Sequence, residues 1–332
     1  MKEYKLIDYN DSYYHKLQLF LKRINPQFSD EYIKFIADNA QCDNEEPAIL
    51  VVDEYNNIVG THLYYYTKAK VRDKVVPIRW GHDTFLEEEY RRYAGLDLVI
   101  ATKERYSFGI GISDVNKKII KKQKSLFYPI YSYLFPSIYI IGSLAKRFLK
   151  IKPSIRFKAS QEITSNHYSF LLIKNIQDLH IPNDGYWNKG KTELDFVRDK
   201  DFLDKRFFSN PVLSYTFYKL KSSNDTDECY FVVRPIIYNR VKTLMVVDYR
   251  YNLEKEEQLT YIVEAAKKLA KTNKYGMTFI LTSDQNMYKK YNDSFFVRKR
   301  PGDFVVAKRK LNLNLDDNII ATSADSDGDY HR

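Results

Sequence analysis

Between residues 48 and 84 the apolar positions fall in extended blocks. "AILVVDEYNNIVGTHLYYYTKA" holds two such runs around Asn56-Asn57, a strong hairpin signal, and "KVVPIRWGHDTF" continues as the next strand of a meander. After Gly95 the spacing changes. Leu96, Val99 and Ile100 recur at intervals of three and four, which predicts a helix opening at Gly95 with those residues on its buried face. "YSFGIGI" (Tyr106–Ile112) reads as a short strand, Ser113-Asp114 as the cap of a helix over "VNKKIIKKQK", and "SLFYPIYSY" as extended chain.

The second half repeats part of this plan. "KTLMVVDYR" predicts a strand, and Leu259, Ile262, Val263, Ala266, Leu269 and Ala270 form one apolar helix face. "MTFILTSDQNMYKKYNDSFFV" answers "SFGIGISDVNKKIIKKQKSLFY": Ser283-Asp284-Gln285-Asn286 lies 170 positions after Ser113-Asp114-Val115-Asn116, and Ser294-Phe295-Phe296 answers Ser125-Leu126-Phe127. Two matches on one strand–helix–strand plan predict a duplicated domain. The expected division is a first domain over 1–145, a linker over 146–162 where the pattern breaks, a second domain over 163–312, and an acidic tail over 313–332.

Composition narrows this picture. In 332 residues, 29 Tyr and 20 Phe supply a large core and many half-wet strands. Cys42 and Cys229 lie far apart without metal-ligand spacing, so neither a disulfide framework nor a metal site is expected. The first ten residues carry no apolar signal region, and a reducing, cytoplasmic setting fits best. A net charge of +10 favours an anionic partner: cofactor phosphates, a lipid surface or nucleic acid. The basic residues read as spread through both halves among acids, which disfavours nucleic acid. Ser125 to Ala145 carries no charge and lies between cationic flanks, but Pro129 and Pro136 interrupt it, against a membrane span. Burial between domains and a peripheral membrane contact through 126–150, at the inner face of the membrane, both stay open.

"EEEYRRYAGLDLVIA" (Glu87 to Ala101) carries the candidate chemistry. A basic turn with one glycine enters a helix, whose N-terminus offers free N–H donors and a positive dipole end to a phosphate. With the preceding meander and the following strand–helix–strand, this order resembles the GNAT N-acyltransferase superfamily. In that family a loop of the form Arg/Gln-x-x-Gly-x-Gly/Ala holds the pyrophosphate of acyl-coenzyme A. Arg92-x-x-Gly95 matches its first half, while Asp97 stands where a small residue is expected.

The resemblance implies an α+β fold of two tandem GNAT-like domains, each a mostly antiparallel twisted sheet flanked by helices. It implies a cofactor-binding set of Phe85, Leu86, Arg91, Arg92, Tyr93, Ala94, Gly95 and Leu96, with Asn116 toward the pantetheine arm. Acetyl-CoA or another acyl-CoA would be the donor, without a metal. Acyl transfer to an amine also needs a base and an acid. Asp83 is the favoured base. His82 beside it points to the opposite strand face, so only one of them can face a given cleft. The family's helix tyrosine is missing, and Tyr128 is the substitute acid.

The second copy has no glycine between strand and helix, so it is expected to have lost its cofactor loop and to bind the acceptor or stabilise the first copy. Tyr186 and Trp187 in "DLHIPNDGYWNKG" pair aromatics with polar residues as sugar sites do, and "DFLDKRFFSNP" predicts a short helix with an aromatic face. Arg206, Phe207 and Pro211 resemble a stretch of tandem GNAT chains of the envelope-acyltransferase kind, as do the Thr and Asp-Ser-Asp of the tail. Asp325, Asp327 and Asp329 suggest calcium, but the glycine is misplaced for an EF-hand, and a flexible acidic tail is the plainer reading. The function expected is an acyl-CoA-dependent N-acyltransferase, its small amine acceptor an amino sugar of surface polysaccharide by resemblance. The alternative is a non-catalytic tandem GNAT-like scaffold at an anionic surface.

Overall fold

The computed structural model describes residues 3–38, 46–71, 74–101, 107–110, 118, 126–150, 153–182, 187, 194–221, 229–292, 298–306 and 319–325. Its strands are β1 (Tyr4–Asp8), β2 (Ala48–Asp53), β3 (Ile58–Val71), β4 (Lys74–Leu86), β5 (Ser107–Ile110), β6 (Leu126–Pro136), β7 (Glu162–Thr164), β8 (Ser169–Ile173), β9 (Leu194–Phe196), β10 (Thr216–Leu220), β11 (Tyr230–Tyr238), β12 (Val241–Arg250), β13 (Met277–Thr282) and β14 (Arg298–Val306). The helices are α1 (Tyr14–Ile24), α2 (Asp30–Ala37), α3 (Glu88–Ala101), α4 (Ile140–Phe148), α5 (Lys200–Leu203), α6 (Glu257–Thr272) and α7 (Gln285–Tyr291).

Two compact units emerge. The first comprises Met1–Ala69, Lys74–Tyr128 and Asp303–Leu315; the second comprises Lys70–Asp73, Pro129–Gly302 and Asp316–Arg332. In the first, β1 pairs antiparallel with β2 and β2 with β3, while β4 and β5 run parallel. Asn56 turns the β2–β3 hairpin at φ 63°, and the Asp53 carboxylate accepts from the N–H groups of Tyr55 and Asn57 at 3.0 and 2.7 Å. The expected hairpin is present, held by an acid that the dipeptide signal did not include.

The second unit orders its strands β6-β13-β12-β11-β10-β8-β7, all antiparallel except the β12–β13 pair. Asn239 and Arg240 turn β11 into β12 with φ of 50° and 64°, the left-handed pair that a two-residue hairpin favours. Leu259, Ile262, Val263, Ala266, Leu269 and Ala270 of α6 are all buried, as their spacing predicts. They join Phe170, Tyr218, Phe231, Leu244, Tyr249 and Ile280 in one core.

The break between units is not at 146–162. The chain changes unit inside β6, because Tyr131 to Pro136 register against Thr282 to Met277 of β13. The stretch read as a linker holds the end of α4 and an extended run that belongs to the second unit. Phe304, Val305 and Val306 in turn register with Ile110, Gly109 and Phe108 of β5 and belong to the first unit. Strand pairing over such distances in sequence leaves no local composition signal, which is why the join was legible only as a change of pattern.

Candidate functional site

The β4–α3 passage in the first unit differs from the expected phosphate loop. Helix α3 runs unbroken from Glu88 to Ala101, so Arg92 and Gly95 stand inside it. Backbone N–H groups at those positions serve the helix's own i→i−4 bonds, and the free donors belong to the first turn. That turn carries Glu88 and Glu89, which oppose a pyrophosphate where the dipole would favour it.

Gly95 is not required by space: an added Cβ would meet only Leu86 Cδ2, at 3.8 Å. Asp97 accepts a 2.7 Å hydrogen bond from the Tyr4 hydroxyl, which ties α3 to β1; that bond, with some burial, pushes the Tyr4 phenol up to about 12. The buried face is Tyr90, Ala94 and Leu98, packed with Leu86. Leu96 is 48% exposed and Ile100 43%, contrary to the expected face. The apolar period does not start at Gly95: the helix begins two turns earlier and buries the small Ala94.

Of the other expected cofactor residues, Phe85 packs edge-on against Phe28 at 5.9 Å, and Arg91 donates from Nε to the Leu86 carbonyl at 3.0 Å. Tyr93 is exposed, with the Arg92 guanidinium 5.8 Å from its ring centre. Tyr128 is buried in β6. His82 and Asp83 lie in β4, but their side chains are outside the described residues, as is Asn116.

His62 of β3 is a candidate that sequence reasoning missed. Its Nδ1 lies 2.6 Å from Thr84 Oγ1, and its ring meets Tyr64 edge-on at 4.8 Å. The imidazole fills the space beside Gly81, where an added Cβ would come within 2.6 Å of Nε2. The parallel β4–β5 register is Arg79↔Ser107 and Trp80↔Phe108, and β4 continues from Gly81 to Leu86. The imidazole therefore stands where β4 runs past that pair. Only the strand register could have revealed it.

The second unit repeats the parallel pair more fully. Thr243↔Met277 to Val246↔Ile280 register β12 with β13, and β12 runs on to Arg250. Into this fork comes the C-terminal segment 319–325. Thr322 bridges Thr282 antiparallel, Ser283 N–H donates to the Ala321 carbonyl at 3.1 Å, and Ser283 Oγ donates to the Ile319 carbonyl. Thr282 pairs with Tyr131 of β6 on its other side, so the segment lies on the β12 side. It satisfies backbone groups that the parting strands would otherwise leave buried and unpaired.

Alternation along β12 divides its end into two buried polar clusters. On one face Asp248 accepts from Arg198 Nε at 2.8 Å, Arg250 Nη1 at 2.9 Å, the Tyr230 hydroxyl at 2.8 Å and Thr322 Oγ1 at 2.7 Å. Arg198 Nη2 also holds Asp325 at 2.6 Å, and all four charged side chains are fully buried. Burial opposes ionisation of Asp248, but the two guanidiniums outweigh it and hold its carboxyl well below the ordinary range. On the other face Asp284 accepts from Tyr249 at 3.1 Å and Tyr251 at 3.0 Å, and from the Asn286 backbone N–H at 2.9 Å. With no cation beside it among the described residues, burial dominates and raises its carboxyl.

The tail is thus no loose acidic appendage where it is described. Thr322 to Asp325 are buried, and Asp325 is committed to Arg198 rather than open to a cation; Asp327 and Asp329 lie outside the described residues. Trp187 is likewise no sugar platform. It is fully buried, donates from Nε1 to the Arg198 carbonyl at 3.0 Å and packs on Tyr230; Tyr186 is outside the described residues. The predicted aromatic helix is present as α5 and the turn after it, with Phe202, Phe207 and Arg206 buried.

No family model and no curated protein matches the chain in sequence. Solved structures do match. A protein of unknown function from Enterococcus faecalis, described as a probable N-acyltransferase, aligns over 93% of this chain and 74% of its own, with TM-score 0.59 and 8% identity. A GCN5-related N-acetyltransferase from Anabaena variabilis aligns over 92% and 73%, with TM-score 0.57 and 9% identity. The N-myristoyltransferase of Saccharomyces cerevisiae, solved with bound myristoyl-CoA, aligns over 92% and 79%, with TM-score 0.55 and 11% identity.

The chain has a tandem GNAT-like fold. At these identities the likeness extends to the fold alone. The GNAT-like units differ at their forks. That of the second is filled by the chain's own residues 319–325, while that of the first carries His62 beside Gly81. Neither helix after a fork opens with a glycine loop: α3 begins with Glu88 and Glu89, and α6 with Glu257.

Proposed function

We propose that the chain is an N-acyltransferase whose donor is an acyl-CoA thioester. The observation that carries this reading is the parallel β4–β5 pair, beyond which β4 runs on to Leu86 in a fold shared with N-acyltransferases. Donor binding and the transfer step belong to the first unit in this reading, because residues 319–325 close the fork of the second. The second unit contributes to the acceptor or to stability.

Asp83 is the proposed base, with His82 adjacent and His62 a further imidazole on the neighbouring strand; Tyr128 is the proposed acid. A positioned base contributes roughly 10²–10⁴-fold to such a step. Arg91 and Arg92, both exposed, are the cations for the donor's phosphates, and Asn116 is the proposed contact for its pantetheine arm. Phosphate binding by side chains replaces the family's backbone cradle here, since the first turn of α3 is acidic. An amino sugar of surface polysaccharide is the acceptor proposed from the sequence resemblance, and acetyl is one of the acyl groups to test. The reading places the reaction in the cytoplasm.

The acidic start of α3 favours a second reading, a non-catalytic tandem GNAT-like scaffold at an anionic surface. Calorimetric titration with acetyl-CoA and with a long-chain acyl-CoA separates the two, followed by thiol release in the presence of amino-sugar acceptors. The enzyme reading expects at least one donor to bind and Asp83→Asn to lower kcat about 100-fold with binding retained. Absence of binding for both donors at millimolar concentration selects the scaffold.

A further inference from the structure

The charge of this chain is not evenly spread. From Val115 to Gln161 there are eleven Lys and Arg and no Asp or Glu, leaving 42 basic and 43 acidic residues elsewhere. The whole positive excess therefore sits in one stretch, contrary to the expectation of basic residues scattered among acids.

Helix α4 lies in the middle of that stretch, and its apolar side faces solvent. Its inner side is fixed by close packing: a Cβ added at Gly276 would meet Ser143 Oγ at 2.9 Å and the Ile140 Cα at 3.2 Å. Ser137 Oγ, one turn before, donates to the Tyr275 carbonyl at 2.5 Å. On the outer side Ile138 is 68% exposed, Ile141 74%, Phe148 85% and Leu149 70%. Within the helix a spacing of seven puts Ile141 and Phe148 on one stripe with Gly142 and Ala145, both exposed, while Ile138 lies in the turn before it and Leu149 in the turn after it. Lys150, Arg156 and Lys158 are exposed at and after the stripe's end, and Lys146, Arg147 and Lys152 add to the basic run in sequence. Lys150 ends the helix in the left-handed region at φ 55°.

We propose that this face of α4 docks the protein on an anionic lipid surface. Four large apolar side chains in a row lose nothing by entering the headgroup–acyl boundary and gain by leaving water. The cations beside them are what an anionic leaflet attracts, and no acid within the stretch opposes it. A protein groove would account for the apolar stripe but would not call for the acid-free run. No helix among the described residues is long and apolar enough to cross a membrane, so the contact is peripheral. The inference stands apart from the proposed acyl transfer, since it uses none of the residues assigned to that reaction.

Co-sedimentation of the full chain with phosphatidylcholine vesicles, with and without a one-in-three admixture of phosphatidylglycerol, tests it. Binding to the anionic vesicles is expected, weakening as salt rises. The double variant Ile141→Glu/Phe148→Glu is expected to lower partitioning at least about tenfold with an unchanged thermal midpoint, because both side chains are exposed. The milder pair Ile141→Ser/Phe148→Ser gives the same readout should the charged pair disturb folding. Failure of the wild type to bind anionic vesicles overturns the proposal, as does equal binding by the variants. A concentration-dependent dimer lost in the same variants overturns it in favour of a second copy of the chain.

Discussion

Replacing Asp325 by alanine removes one carboxylate from a fully buried cluster. Arg198 and Arg250 then keep the carboxylates of Asp248 and Asp195, all of them buried. Arg198 Nη2 loses its 2.6 Å partner, and the Thr322 N–H loses its 2.8 Å acceptor. Arg250 loses a partner as well: its Nε and Nη2 already lack hydrogen bonds, and its Nη2 stands 4.0 Å from the Asp325 carboxylate. An unmatched buried charge costs about 3–5 kcal/mol, a large share of the roughly 5–15 kcal/mol that holds a domain folded. With a urea slope of about 2 kcal/mol/M, the midpoint of the second unit should fall by about 2 M.

Tryptophan emission is suited to the measurement. Trp187 lies in the second unit against the Arg198 carbonyl, while Trp80 lies in the first, so a Trp80→Phe background isolates the signal. Asp325→Asn keeps the shape and one acceptor and should fall between the wild type and alanine. A loss under about 1 kcal/mol for Asp325→Ala would refute the argument and return the tail to the status of a surface appendage.

Two glycines of the first unit should respond oppositely to alanine. Gly95→Ala should stabilise by roughly 1 kcal/mol, since the site is helical and its nearest new contact is an ordinary 3.8 Å, whereas Gly60→Ala should cost about 1–3 kcal/mol because its Cβ would press within 3.1 Å of the Phe85 carbonyl. Urea unfolding of both measures this, and destabilisation by Gly95→Ala would restore the loop reading. Asp284, raised by burial, favours the proton in the folded state, so its contribution is complete below pH of about 4 and is lost as pH rises through its raised value. The thermal midpoint of Asp284→Asn should therefore gain on the wild type as pH rises above about 4; a constant difference would show that Asp284 keeps the ordinary carboxylate value.

The sequence by itself determined the local elements. Runs of β-formers, the Asn56 turn and the three-and-four spacing of α6 each act through neighbours in the chain, so they were readable without partners. It also pointed to the tandem fold, through a strand–helix–strand repeat of which residues 111–117, 119–125 and 293–297 lie outside the described residues. Where signals competed, it misled. Gly95 looked like a loop because glycine disfavours a helix, but that costs only about 1 kcal/mol, less than the packing of Tyr90, Ala94 and Leu98 returns. Tertiary structure alone decided that β6 pairs with β13, that His62 rests on Gly81, and that Asp325 reaches Arg198 across 127 residues. Each of those contacts depends on strand register or on neutralising a buried charge. Neither quantity exists until distant segments are brought together, and so neither leaves a periodic mark on the chain.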